Sequence, residues 1–167
     1  MLVVYVDNLI SAQEVIDAGA DGIVHSFMDK VVDDKFIQSM KAHDAFVIPT
    51  LSVLAAAAQQ SNIDELLQNK NISAYLSKQQ TQQLNAKFPE FGIPEMAFQN
   101  AKNSVLKLAD AGITVLAGTD APNPGTTHGA SMHGELTFLV DAGLSEQQVV
   151  HAATGAVSKH FDVGSRG

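Results

Sequence analysis

Short, continuously apolar runs alternate along this chain with longer stretches whose apolar residues recur every three or four positions. Leu2-Val-Val-Tyr-Val6, Asp21-Gly-Ile-Val-His-Ser26, Ala45-Phe-Val-Ile48 and Ile113-Thr-Val-Leu-Ala117 are of the first kind. They predict β-strands buried on both faces. The helical spacing follows each of them. Ser11-Ala-Gln-Glu14 fits a capping box ahead of Val15-Ile16-Asp17-Ala18, with Gly19 placed to close the helix. Val32, Phe36, Ile37 and Met40 mark a helix between Val31 and His43. Met96, Phe98, Ala101, Val105, Leu108 and Ala109 give a broad stripe from Glu95 to Ala111. Met132 to Ala142 stops at Gly143, Ser145 caps Glu146 to Ala153, and Ala156 to Phe161 forms a last short helix before a loop over 162–167. Helices after all four strands imply an α/β fold with a parallel sheet.

One region breaks the alternation. Residues 52–91 are rich in Gln, Asn, Lys and Ser with weak helical patches, the better ones at Asn62 to Leu67 and Ser77 to Ala86. An ordinary βα connection runs to about 2–6 residues, so this stretch reads as an inserted helical lid or surface subdomain. The remainder of residues 1–167 reads as one domain.

Composition narrows the function classes. The 167 residues are 46% hydrophobic and 17% charged, which describes an ordinary folded domain rather than a disordered one. Eighteen acidic against ten basic residues give a formal charge of -8, which opposes attraction to nucleic acid or an anionic membrane surface. The absence of cysteine excludes disulfides and thiolate metal sites. No apolar run approaches the roughly 20 residues of a membrane span, and Met1 to Val6 lacks the pattern of a signal peptide. A cytoplasmic location is expected if Met1 is the natural start, and a periplasmic one is open for a longer parent.

Two residues fall where parallel α/β proteins keep their chemistry. His25 and Asp120 lie at the carboxyl ends of predicted strands, and parallel strands bring those ends to one face. An imidazole and a carboxylate converging there form part of a site for zinc or another divalent cation. Each has a plainer reading: His25 as a hydrogen-bonded core residue, Asp120 as the cap of a turn in Ala121-Pro-Asn-Pro-Gly125. His128 and His133 flank Gly129 to Met132 at the following loop-to-helix junction. They either reach substrate at the mouth of the sheet or are solvated helix-start histidines. Thr50, just past the third strand, is a further candidate substrate contact. Glu135 reads as a first-turn acid complementing the dipole of its own helix. No phosphate loop, dinucleotide fingerprint, Gly-x-Ser-x-Gly elbow or His-Glu-x-x-His occurs.

Three stretches together resemble the amidohydrolase superfamily: Asp17-Ala-Gly-Ala-Asp-Gly-Ile-Val-His25, Gly112-Ile-Thr-Val-Leu-Ala-Gly-Thr-Asp-Ala121, and Leu136 through Ala-Gly-Leu-Ser145 to Ala-Ala-Thr-Gly155. The similarity is to the imidazolonepropionase and Xaa-Pro dipeptidase-like branch and covers all but the insert. It implies a (β/α)8 barrel that hydrolyses amide, cyclic-amide or dipeptide-like C–N bonds with a divalent metal, zinc above the alternatives. It makes His25 the sixth-strand metal ligand. Asp120 becomes the eighth-strand ligand, which also takes the proton from the attacking water.

The chain departs from that pattern in informative ways. It has no His-x-His, it has room only for the last four strands, and Tyr5 stands where the family places a fifth-strand His. The expected architecture is therefore the carboxyl-terminal half of a TIM-type barrel. Four strands cannot close a barrel, so the exposed sheet edges predict self-association into a homo-oligomer. Two functional readings stand side by side. One is a metal-dependent hydrolase of small-molecule or dipeptide-like substrates; the other is an inactive half-barrel that self-associates and binds no catalytic metal.

Overall fold

The computed structural model describes residues 1–161 and 163; most of the expected carboxyl-terminal loop, 162–167, lies outside them. Three strands, β1 (Val3–Tyr5), β2 (Gly22–Val24) and β3 (Phe46–Ile48), pair in parallel in the order β1-β2-β3. Their register aligns Val3 with Gly22 and Gly22 with Phe46. Alternation along the strands then sends Val4, Ile23 and Val47 to one face. There they meet α1 (Leu9–Asp17), α2 (Asp34–Ala42) and α7 (Glu95–Asp110) through Ile16, Phe36, Met40, Val105 and Leu108 in one apolar core. The opposite face is covered at the amino-terminal end of the strands. Phe46 and Leu116 pack there on Ala156 and Val157 of α10 (Gly155–His160), next to Val3. The other end of that face stays open, and it carries Tyr5 and the strand ends.

The expected fourth strand is reduced to a single bridge between Val47 and Val115. Val47 N donates to Thr114 O at 3.0 Å and Leu116 N to Val47 O at 2.8 Å. Beyond that, Ala117 N turns to Ala152 O at the end of α9 (Glu146–Ala153), at 3.0 Å. The segment thus leaves the sheet for a helix after one pairing. Gly118 permits the close approach that remains: a Cβ there would lie 2.5 Å from Ile48 Cγ2.

Two other expectations change in detail. Helix α1 starts at Leu9, not after Ser11, because the Asn8 side chain accepts from Ser11 N at 2.9 Å. This start places Leu9, Ala12 and Ile16 on one buried stripe. Met96 does not join the buried stripe of α7 and is 67% exposed, whereas Phe98, Ala101, Val105 and Leu108 are buried.

Between β3 and α7 the chain forms α3 (Leu51–Ala57), α4 (Ile63–Gln68), α5 (Lys70–Ser73) and α6 (Lys78–Asn85). α3 belongs to the core through Leu51 and Ala55 and packs on both α7 and α8 (Ala130–Asp141). α4 and α6 each bury a single residue, Leu66 and Leu84, and α5 buries none. Among the described residues no helix is long and apolar enough to cross a membrane.

Candidate active site

The carboxyl ends of β2, β3 and the Val115 segment converge on the open side of the sheet. Beyond β2 the ladder continues, His25 N donating to Ile48 O at 2.9 Å and Ser26 N to Pro49 O at 3.0 Å. These bonds fix where the His25 and Thr50 side chains begin. Three residues at these ends, His25, Thr50 and Asp120, have left-handed backbones with φ of 77°, 51° and 53°. For residues with a Cβ that conformation costs about 1–3 kcal/mol each and persists only where the surroundings impose it. Thr50, being β-branched, is the most strained of the three by type.

Their side chains meet. His25 is 5% exposed, its Nδ1 is hydrogen-bonded to the Thr50 hydroxyl, and its Nε2 lies 3.8 Å from Asp120 Oδ2. That separation is too long for a hydrogen bond. Burial holds the His25 imidazole below its ordinary pKa, against the opposing pull of the Asp120 charge. Burial thus favours the neutral imidazole, the form in which histidine binds a metal. Asp120 is half-exposed and steadied by Asn123, whose Nδ2 donates to the Asp120 carbonyl at 2.6 Å and to Oδ2 at 2.9 Å. Asn123 sits in turn in a loop closed by Asn123 N to Thr126 Oγ1 at 2.9 Å.

A cleft of about 410 Å³ opens over this pair. Its polar groups are His25, Asp120, Asn123, Asp7 and Ser26. Its walls are Met28 beside β2, Val53 and Leu54 from α3, and Phe88 and Phe91 from the turn-rich stretch after α6. The two phenyl rings stand 5.9 Å apart. Tyr5 closes one side, its ring edge-on to His25 at 4.6 Å between centroids.

The expected site residues divide accordingly. His25 and Asp120 come together at the cleft. Thr50 is 1% exposed and stands behind His25, outside the cleft lining. His128 lines a separate hollow with Gln80 and Pro122, and His133 another with Asn62 and Glu65. Neither reaches the cleft. The aromatic wall and Asn123 were not among the expectations. Only Asn123, three residues after Asp120 in a Pro/Gly loop, had a local signal.

His25 Nε2 and Asp120 Oδ2, 3.8 Å apart across the mouth of the cleft, are the atoms that would hold a divalent ion there. A neutral imidazole and a carboxylate are suitable donors. The count is short: among the described residues no group of three or more His, Asp or Glu gathers. Catalytic zinc takes about three protein ligands. The pair fits as two ligands of a site that must be completed by other donors.

No protein-family model matches the sequence, and no curated protein matches it either. Solved structures do match the fold. A Xaa-Pro dipeptidase with methionine in its active site superposes with a TM-score of 0.64 at 20% identity, over 96% of this chain and 34% of that one. A bottromycin amidohydrolase gives 0.61 at 17% identity, over 98% and 41%. Ochratoxinase from A. niger gives 0.59 at 20% identity, over 95% and 29%. The chain therefore shares the fold of part of each of these proteins, and it spans 29–41% of their length.

Proposed function

We propose that this chain carries the His25–Asp120 portion of a metal-dependent active site that hydrolyses amide or cyclic-amide C–N bonds. The observation behind the reading is the convergence of these two side chains, at strand ends in left-handed backbone, on one apolar-walled cleft. The amidohydrolase fold of the matched structures supports the same chemistry. Zinc is the metal that the imidazole and carboxylate donors favour, held by His25 Nε2 and Asp120 Oδ2. When bound, such an ion supplies an acidified water and a polarised carbonyl.

The chain's own residues do the rest. Thr50 holds the imidazole so that Nε2 points to Asp120. Asp120, fixed by Asn123, accepts the proton of the attacking water and returns it to the leaving nitrogen. Met28, Val53, Leu54, Phe88 and Phe91 receive an apolar group next to the scissile bond and keep bulk water from it. This agrees with a small-molecule or dipeptide-like substrate; matched structures hold methionine and N-methylphosphonate-L-proline. Phe88 and Phe91 give the 52–91 stretch its part as lid. The test is incubation of the zinc-supplemented chain with a panel of N-acyl amino acids, dipeptides and cyclic amides, read by mass spectrometry. Cleavage that disappears in Asp120→Asn supports the reading, and no cleavage by a zinc-loaded, associated sample contradicts it.

The alternative, an inactive half-barrel, is favoured by the short donor count and by Tyr5 in place of a further His. Under both readings the open sheet edges are satisfied by association with a second copy. Among the described residues β1 pairs only with β2, and its Tyr5 and the preceding Leu2 are exposed. Size-exclusion chromatography with light scattering should give a dimer or larger species at micromolar concentration. A clean monomer there would count against association.

A further inference from the structure

Glu135 is a charged residue with no exposure at all, and the chemistry proposed above makes no use of it. It lies on α8, and its two carboxylate oxygens accept from Leu51 N at 2.9 Å and Ser52 N at 2.7 Å, the first two residues of α3. One turn earlier on α8, the carbonyl of Ser131 accepts from Ser52 Oγ at 3.3 Å. α8 thus grips the first turn of α3 at three points. The residue immediately before that turn is Thr50.

Thr50 is β-branched and left-handed, with φ of 51°, a conformation that its neighbours must impose from both sides. On the amino side the carbonyl of Pro49 is held by Ser26 N at 3.0 Å. On the carboxyl side the amides of Leu51 and Ser52 are held by Glu135. Between these two clamps the Thr50 hydroxyl meets His25 Nδ1, and among the described residues it is the one hydrogen-bond partner of that ring nitrogen. The ring nitrogen that is bound behind decides how the one in front is presented.

We infer that Glu135 is a positioning residue for His25: by clamping the start of α3 it holds Thr50 on His25 Nδ1 and so aims Nε2 at Asp120. The inference rests on the reading of His25 and Asp120 as the site, but its test needs no turnover. The measurement is the ring-nitrogen NMR shifts of His25 in the metal-free folded chain, with His43 and His128 as internal references. Thr50→Val keeps the branched shape and removes the hydroxyl, and should move the Nδ1 signal toward that of a nitrogen without a hydrogen-bond partner. Glu135→Gln, which offers one acceptor where two are needed, should move it in the same direction by a smaller amount. Glu135→Asp, which withdraws both oxygens by one methylene, provides a second reading should the glutamine variant fail to fold. Ile16→Val, on α1, serves as a control for lowered stability and should leave the signal in place.

A His25 Nδ1 signal that moves in Thr50→Val but stays fixed in a folded Glu135 variant would overturn the inference and leave Glu135 a cap of α3 alone. No movement in Thr50→Val would overturn it at the Thr50 link. Neither outcome depends on whether the chain hydrolyses an amide, so failure of the functional reading and failure of this one are seen separately.

Discussion

Asp120→Asn should lower kcat/KM for the cleaved amide by about 10²–10⁴-fold, the usual contribution of a positioned base, and more where the residue is also a ligand. The substitution is chosen to leave the fold alone. Asparagine has the shape of aspartate and tolerates the left-handed backbone that Asp120 adopts, with φ of 53°. Its side-chain oxygen can still accept from Asn123 Nδ2, which lies 2.9 Å from Oδ2 in the native protein. The native carboxylate is half-exposed, so stability should change by no more than about 0.5 kcal/mol. What goes is the negative charge and the basic oxygen. A rate loss with an unchanged urea midpoint isolates the chemical role; a variant with full activity would remove Asp120 from it.

The second large effect is on stability and comes from Glu135. Burial raises this carboxyl from 4.5 to about 7, against the amides of Ser52 and Leu51, which favour its charged form. A raised folded pKa means the folded state holds the proton more tightly than the unfolded chain. The stability that the group contributes is then fully present below about pH 4.5, is lost as pH rises toward about 7, and is constant above. At 1.36 kcal/mol per pKa unit the change across that window is about 3 kcal/mol. His25 acts in the opposite sense: its lowered pKa costs stability as pH falls below its ordinary value of 6.5. Comparing metal-free wild type with Glu135→Gln by urea denaturation from about pH 4.5 to about pH 7.5 cancels the His25 contribution. The wild type should lose stability relative to the variant as pH rises; parallel curves would contradict the assignment.

Much of the scaffold was legible because its signals are local. Continuous β-branched runs marked the strands, although β1 is not buried on both faces as expected: Val3 and Val4 are half-buried and Tyr5 is exposed; the 3.6-residue stripe of Phe98, Ala101, Val105 and Leu108 marked α7. That Asp120 and His25 would lie together was legible from position alone, since parallel strands share an end. What escaped depends on partners far away in the chain. Glu135 reads locally as a first-turn acid of α8, yet its oxygens cap α3, more than 80 residues earlier. Thr50 read as a substrate contact, and only the three-dimensional turn shows it behind His25 with its hydroxyl committed to the ring. The Ile113 to Ala117 run has the composition of a full strand, but Ala152 competes for its backbone after a single pairing with β3. Phe88 and Phe91 lie in a Pro- and Gly-rich stretch with no periodicity, so nothing in their spacing pointed to a cleft.

The central claim is that His25 and Asp120 together hold a divalent metal. It is tested most directly by titrating zinc into the metal-stripped, nitrogen-labelled chain while following the ring nitrogens of all six histidines. The account predicts that His25 Nε2 shifts first and saturates, and that Asp120→Ala weakens this binding by roughly tenfold or more, about 1.4 kcal/mol. Zinc that perturbs other histidines before His25, or that binds His25 equally well without the Asp120 carboxylate, would contradict it.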